Sequence, residues 1–495
     1  METPVESQEH VGLDMNYFFD EILIEVFGNL GLRMLKNCRL VCKRWDELIS
    51  KHQNFFENYQ TVLRTYEGCK NIAELRKKPK YVVVLDDCQL SPDVFNHLPN
   101  LYSLKIDLSQ CEYELELSHL AQVLRLVPNL KILHVCDMNF IEDIKNMADF
   151  EKIKFNLIEL NCNSELLHLL ECLTLKNLNL RWHCNLPIER KLKVCEFVSQ
   201  QKELENLSLN YPNDFFVHFI SLNYEFKLKS FTFYSNANFM NYESFILFLE
   251  PHKHSLNSLK IQMYSFEQSK DAIRAILKYV KKNVLNLNEL ELDTVYNGNT
   301  ERVQILPKKL DSFDKLERFG YADIFYSLED NKQLVDMLPK MKHLSIKSCF
   351  CKAIGLLEYE ATKQKLESLA IFNFDKVTTS ITFSNLKELS VHTFSLNRDG
   401  FKMFIDRHSK SLEKLTIGND DGISPPIVNA ISSIENLKHL TIDVSKKDFD
   451  RIMTTFQDIS LRSQPLTVIF KDYPTIVRFE LPEDKIFWGD QITLS

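Results

Sequence analysis

The sequence predicts an α/β chain in two parts: a front block of three short helices, then a curved array of strand–helix units. Its parallel sheet is expected on the concave side and its helices on the convex side. Three observations carry this. A Leu-x-x-Leu-x-Leu-like hexad recurs fourteen times, beginning at Leu101, Leu130, Leu157, Leu175, Leu204, Leu228, Leu256, Leu287, Leu316, Met341, Leu366, Leu386, Leu412 and Leu437. The segments between hexads place apolar residues three and four apart, the period of a helix face. Ahead of the array, one block of about 45 residues reads Asp20-Glu21-Ile22-Leu23 and ends Val41-Cys42-Lys43-Arg44-Trp45.

The divisions expected are a disordered tail over 1–12, the front block over 13–58, a linker over 59–80, the array over 81–464 and a cap or tail over 465–495. In the front block Ile22, Leu23, Ile24, Val26, Phe27 and Leu30 cover most of the girth of one helix, so it is buried on two sides. A second helix is expected over Arg33 to Leu40. A third carries Val41, Trp45, Leu48 and Ile49 on one face. A block this small cannot bury that surface alone, so part of it meets either the array or a separate protein. Arg76-Lys77-Lys78-Pro79-Lys80 reads as a solvated turn, with a nuclear-localisation patch as the alternative. Tyr81 to Leu85 is a first, irregular strand.

Thirteen intervals cover 437 − 101 = 336 residues, a mean period of about 26, inside the range of leucine-rich repeats. Each hexad is expected to form a short strand with its leucines in the core, for example Leu207 stacked between Leu178 and Phe231. Helices are expected around Leu117–Val127, Phe245–Leu249, Ile273–Val280, Leu334–Leu338 and Phe449–Ile459. Pro99, Pro128 and Pro339 stop the preceding helix two residues before a hexad. The Asn or Cys usual three residues after such a hexad is present only as Asn236 and Cys349, and intervals range from 18 to 31 residues, so the array is irregular. After the last hexad, Leu466–Phe470 and Thr475–Leu481 flank the turn material Lys471-Asp472-Tyr473-Pro474, which reads as a terminal hairpin.

Bulk properties narrow the function. Hydrophobic content of 44% and charged content of 26% are those of a folded chain, and a net charge of −8 argues against general nucleic-acid binding. The polar segment Met1 to Gly12 has no signal-peptide character, and no apolar run nears membrane-spanning length, so a cytoplasmic and/or nuclear location is expected. The 12 cysteines include no Cys-x-x-Cys, so they are read as small buried hydrophobes and no metal or cofactor is expected. With 11 glycines and no Gly-x-Gly, nucleotide cradles are absent, as are nucleophile-elbow and zinc-protease motifs. His252-Lys253-His254 reads as surface. Glu289, Glu291 and Asp293 alternate along a strand, and a solvated stripe outweighs an acid–base pair. No catalytic residue is assigned.

The front block resembles an F-box. Glu21, Ile22, Leu23, Val26, Phe27 and Leu30 match the first half of that family's pattern; Leu35, Val41, Cys42, Lys43 and Trp45 match the second. Phe18-Phe19 stands where Leu-Pro is usual, which keeps an apolar anchor but loses proline's fixed φ; Asp20 is left to cap the helix. An F-box followed by leucine-rich repeats resembles substrate receptors of Skp–cullin–F-box ubiquitin ligases. The resemblance implies that Phe18, Phe19, Glu21, Ile22, Leu23, Val26, Phe27, Leu30, Leu35, Val41, Cys42 and Trp45 bind the Skp linker and, through it, a cullin. The array would hold a protein substrate and perform no chemistry. The competing reading is a repeat scaffold or regulator whose front helices merely cap the array.

In each hexad the residues between the leucines point away from the core. One stretch of three repeats places Glu159, Asn161, Asn163, Asn177, Asn179, Arg181, Asn206, Ser208 and Asn210 there; another places Glu289, Glu291 and Asp293, followed by Arg318. Any solvated sheet face is polar. Six asparagines on one face, however, carry a strand-propensity cost that contacts to a protein partner would offset. The substrate is therefore expected on this amide-rich face, with the acidic stripe favouring a basic segment.

Overall fold

The computed structural model describes residues 20, 23–24, 38, 41–51, 60–63, 79–85, 92–107, 115–136, 140–141, 153–172, 174–182, 187–210, 214–235, 241–263, 270–294, 313–321, 336, 340–346, 357, 359–373, 381–393, 398–418, 425–442, 466–470, 475–479, 487–488 and 491–494. A helix α1 (Lys43–Lys51) precedes one 20-stranded sheet. Its strands are β1 (Gln60–Leu63), β2 (Tyr81–Leu85), β3 (Ser103–Asp107), β4 (Ile132–Cys136), β5 (Glu159–Asn163), β6 (Asn177–Arg181) and β7 (Asn206–Asn210). There follow β8 (Ser230–Ser235), β9 (Ser258–Met263), β10 (Glu289–Thr294), β11 (Arg318–Tyr321), β12 (His343–Ile346), β13 (Ser368–Asn373) and β14 (Glu388–Thr393). The last are β15 (Lys414–Ile417), β16 (His439–Ile442), β17 (Leu466–Phe470), β18 (Thr475–Phe479), β19 (Phe487–Trp488) and β20 (Gln491–Leu494). From β1 to β17 each strand pairs in parallel with the next in sequence; β17, β18 and β19 are antiparallel, and β20 pairs in parallel with β1.

Every hexad carries a strand beginning at its third residue, with apolar positions buried, as at Leu104 and Ile106 or Leu207 and Leu209. The register is in phase throughout, and Leu207 pairs with Leu178 on one side and Phe231 on the other. Phase is held at the second hexad position, whose carbonyl accepts two N–H groups of the next unit. Tyr102 O receives Lys131 N and Ile132 N at 2.8 and 3.1 Å, and Lys387 O receives Glu413 N and Lys414 N at 2.8 and 3.0 Å. The residue before the hexad adds a second clamp that the sequence reading did not find. Asn129, Asn286, Asn385 and Asn436 each donate an amide N–H to a carbonyl of the preceding unit, at 3.0, 2.7, 2.6 and 2.6 Å. Thr174 and Ser255 do the same with hydroxyls.

The sheet begins one strand earlier than expected, since β1 lies inside the segment read as a linker. Three helices stand where the spacing predicts them, α2 (Leu117–Leu126), α5 (Tyr242–Leu249) and α6 (Lys270–Asn283); the reading did not place α3 (Ile188–Ser199), α4 (Phe215–Phe219), α7 (Glu360–Lys365), α8 (Arg398–His408) and α9 (Pro425–Ser432). The 18-residue interval after Leu157 is too short for one, and a 3-10 turn, Ser164–Leu169, fills it. The terminal hairpin forms as β17 and β18. Pro339 and the helices expected around Leu334–Leu338 and Phe449–Ile459 lie outside the described residues, Asp336 excepted.

Two expectations are corrected in the core. His252 is buried, not a surface histidine; Leu228 N donates to its Nδ1 at 3.3 Å, and it stacks on Phe226. Burial holds its pKa down to about 3. His408 is placed the same way in a later unit, accepting from Phe383 N at 3.0 Å through Nε2, with its Nδ1 2.8 Å from Phe404 O. Gln201 repeats the device with Leu175 N at 3.4 Å. Asn163, expected on the solvated face, is also buried, because the chain turns inward there into the 3-10 segment. Among the described cysteines, Cys38, Cys162, Cys172 and Cys195 are buried, and burial raises the Cys195 thiol to about 12.

Candidate functional site

The sheet face turned away from the core carries a concavity of about 250 Å³ running across β4 to β8, with apolar as well as polar lining. Its rim and floor come from the third and fifth hexad positions, which share one face because side chains alternate along a strand. Asn161, Asn179 and Asn206 of the expected site line it, with Glu159, Asn177 and Ser208. His134, Ser230 and Thr232 join them, and Leu160, Leu178 and Leu207 of the fourth hexad position complete the lining; no sequence signal singled out His134, Ser230 and Thr232, although the same alternation applied to β4 and β8 places them there. Arg181 and Asn210 sit at the strand ends, paired in register with one another, and do not line it.

One directional network crosses the concavity. Asn206 donates through Nδ2 to Asn177 Oδ1 at 2.6 Å, and Asn177 Nδ2 lies 3.4 Å from Glu159 Oε2. The other Glu159 oxygen is 2.6 Å from His134 Nε2. Both carboxylate oxygens are thus occupied. Asn179 lies below this row with its Oδ1 buried and without a hydrogen-bond partner. Behind the strands, Trp182, Phe215, Phe216, Phe231, Phe233 and Phe248 fill the core, ring against ring at 5.2 to 6.5 Å. Trp182 is tied to Asp214 at 3.0 Å through its indole N–H. A site on this support has little freedom to distort.

The acidic stripe is differently built. Lys260 of β9 reaches Glu289 at 2.9 Å and Glu291 at 3.5 Å, and Ser258 donates to Glu289 at 2.6 Å. Burial works against both charges of the Lys260–Glu289 pair, yet the contacts outweigh it, raising the Lys260 pKa and lowering that of Glu289. Gly320 lets β11 lie close to Glu291: a Cβ there would stand 2.9 Å from Glu291 Cγ. Asp293 pairs in register with Gln262 of β9. Two of the three carboxylates already share a cation, which weakens the case for a basic ligand.

At the front, the described residues sort by role. Leu23, Cys38, Trp45, Leu48 and Ile49 are buried, whereas Val41 is 60% exposed and Cys42 intermediate. This corrects the expected α1 face: Val41 precedes the helix in a turn closed by Val41 N to Cys38 O and does not join Trp45 in the core. Asp20 is engaged by Arg44, whose Nη2 and Nε donate at 2.7 and 3.0 Å, joining the two ends of the motif. Phe18, Phe19, Glu21, Ile22, Val26, Phe27, Leu30 and Leu35 lie outside the described residues. Among the described residues no group of His, Cys, Asp and Glu side chains is placed to hold a metal ion, and no helix is long and apolar enough to cross a membrane.

Comparison with known proteins bears on this front block. No curated protein matches the chain. Residues 20–60 match the family model F-box-like, so the segment that ends on the first residue of β1 is similar to an F-box domain and supports an F-box protein.

Proposed function

We propose that the chain is the substrate-recognition adaptor of a Skp–cullin–F-box ubiquitin ligase. In this reading the front helices bind the Skp linker and through it the cullin, and the sheet, read as a leucine-rich-repeat solenoid, holds a protein substrate. The observation that carries it is the F-box-like match over residues 20–60, running directly into a parallel sheet with an amide-bearing concavity. The chain contributes no catalytic group. It raises the effective concentration of a substrate lysine near the charged ubiquitin carrier. Neither nucleic acid nor membrane is part of this reading, and the location is cytoplasmic and/or nuclear.

The rival reading, in which the front helices only cap the array, draws on the burial of Leu23 and Trp45. Co-purification of the full chain with the Skp linker and cullin separates the two. Leu23 is packed inside, so Leu23→Asp would unfold the block; Val41 tests the surface. Val41→Asp is expected to weaken linker capture at least tenfold while the thermal unfolding of the array is unchanged. Absence of capture by the unmodified chain overturns the adaptor reading; capture that survives the change removes Val41 from the contact surface.

A further inference from the structure

We infer that the concavity across β4 to β8 receives an extended, uncharged and unphosphorylated segment of the protein partner; this rests on the receptor reading above. Charge comes first. A phosphorylated segment needs Arg or Lys side chains free to meet it. Of the described cations near the concavity, Lys105 is engaged with Asp107 at 3.1 Å and Lys260 with Glu289 and Glu291, and Arg181 at the end of β6 has an interaction of its own. Inside it, a phosphate would face the Glu159 carboxylate and the Asn179 oxygen, both acceptors. An acidic segment meets the same obstacle, and a basic one finds Glu159 already bonded to His134 and Asn177.

Complementarity comes second. Asn161, Asn179, Asn206, Ser208, Ser230 and Thr232 all both donate and accept, which is what successive main-chain N–H and C=O groups require. Asn179 Oδ1 is a buried acceptor with no partner, and a turn of that side chain toward the concavity, to meet a peptide N–H, removes the penalty. Length comes third. Five strands about 4.8 Å apart span roughly 19 Å, the reach of about six extended residues at roughly 3.3 Å each. Orientation is set by the network in which Asn206, Asn177, Glu159 and His134 are already bonded to one another, leaving Asn179 as the group in need of a ligand.

The test uses the full chain on an immobilised array of random 12-residue peptides, each made also with one phosphoserine. Retained peptides are expected to have an uncharged polar stretch, and the phosphoserine copies to bind at least tenfold more weakly. Asn179→Leu and, as a second variant in the neighbouring strand, Asn206→Ala are each expected to lower binding five- to tenfold, with unfolding midpoints showing that both fold. Preference for the phosphorylated copies, no retained peptide, or both variants binding within twofold of the unmodified chain overturns the inference. Glu289→Lys with Glu291→Lys separates this failure from that of the receptor reading. Peptides lost only in that double variant leave a receptor whose site lies over β9 to β11; peptides indifferent to all three changes remove the sheet face as the binding surface.

Discussion

Two stretches of one sheet, β5 to β8 and β11 to β16, share a backbone plan and differ in what they place on either side of it. The first is backed by packed aromatic rings and faced by a network of amides. The second is backed mainly by leucine and isoleucine, such as Leu369, Ile371, Leu415 and Ile417. On its outer face Gly320, Ser345, Ala370 and Ser390 follow one another at the fifth hexad position. Its edge alternates in charge, with Lys342 between Glu317 and Glu367 at 4.0 and 3.9 Å, and Lys438 on Glu413 at 2.7 Å. In both stretches polar residues tie neighbouring units together; in the first they also converge on a hollow. Repetition therefore fixes the frame, and the side chains at the outward positions decide whether a strand contributes to the concavity.

The largest expected effect tests the aromatic backing. Phe216→Ala should cost about 3–5 kcal/mol and lower peptide capture at the concavity, because the rings of Phe231, Phe233, Phe245 and Phe248 lose their common neighbour. Leu389→Ala in β14 should cost about 2–5 kcal/mol and leave capture intact. Calorimetric unfolding with peptide binding measures both; equal loss of capture would erase the contrast between the stretches.

A second, somewhat smaller effect compares His252 with His408. In His252, Nδ1 accepts a backbone N–H, so the ring proton sits on Nε2, which has no partner; His408 has both nitrogens placed against backbone groups. Burial lowers both pKa values, opposed in His408 by its contact with Phe404 O. The unfolded chain then binds more protons than the folded one. This stability is fully present above the ordinary histidine pKa of about 6.5 and is lost as pH falls toward the folded values, by up to about 3 kcal/mol at pH 4 for His252. His252→Gln, which copies Gln201, should flatten that dependence, and denaturation followed from pH 7 to pH 4 reads it directly. A profile unchanged by the substitution would assign the acid sensitivity elsewhere. Smallest is Lys342→Glu: this exposed edge charge should cost about 1 kcal/mol or less, and less still in high salt.

The sheet was legible because a strict repeat of buried leucines allows one register, and a slip of one residue would turn each hexad inside out. Asn161, Asn179 and Asn206 were legible for the same reason. What escaped the reading was set by distance in three dimensions. Lys260 and Glu291 are 31 residues apart in sequence and meet only because β9 and β10 are neighbours. His252 and His254 differ by two positions, yet one closes the core and the other is exposed, because the chain turns between them. Val41 follows helical spacing with Trp45 but stands before the helix begins, and periodicity does not register where a helix starts.

One further consequence follows from β20 pairing with β1. A linear stack of units ordinarily loosens from its tips, where each terminal unit has one neighbour. Here the last strand is hydrogen-bonded beside the first, and only two residues separate it from β19 at the far edge. The chain's two extremities thus act as each other's end-plates, and looseness at one is transmitted to the other. The segment similar to an F-box stops where this seam begins. A cut near residue 490 would therefore free more than a tail: it would unlatch the strand with which the sheet begins.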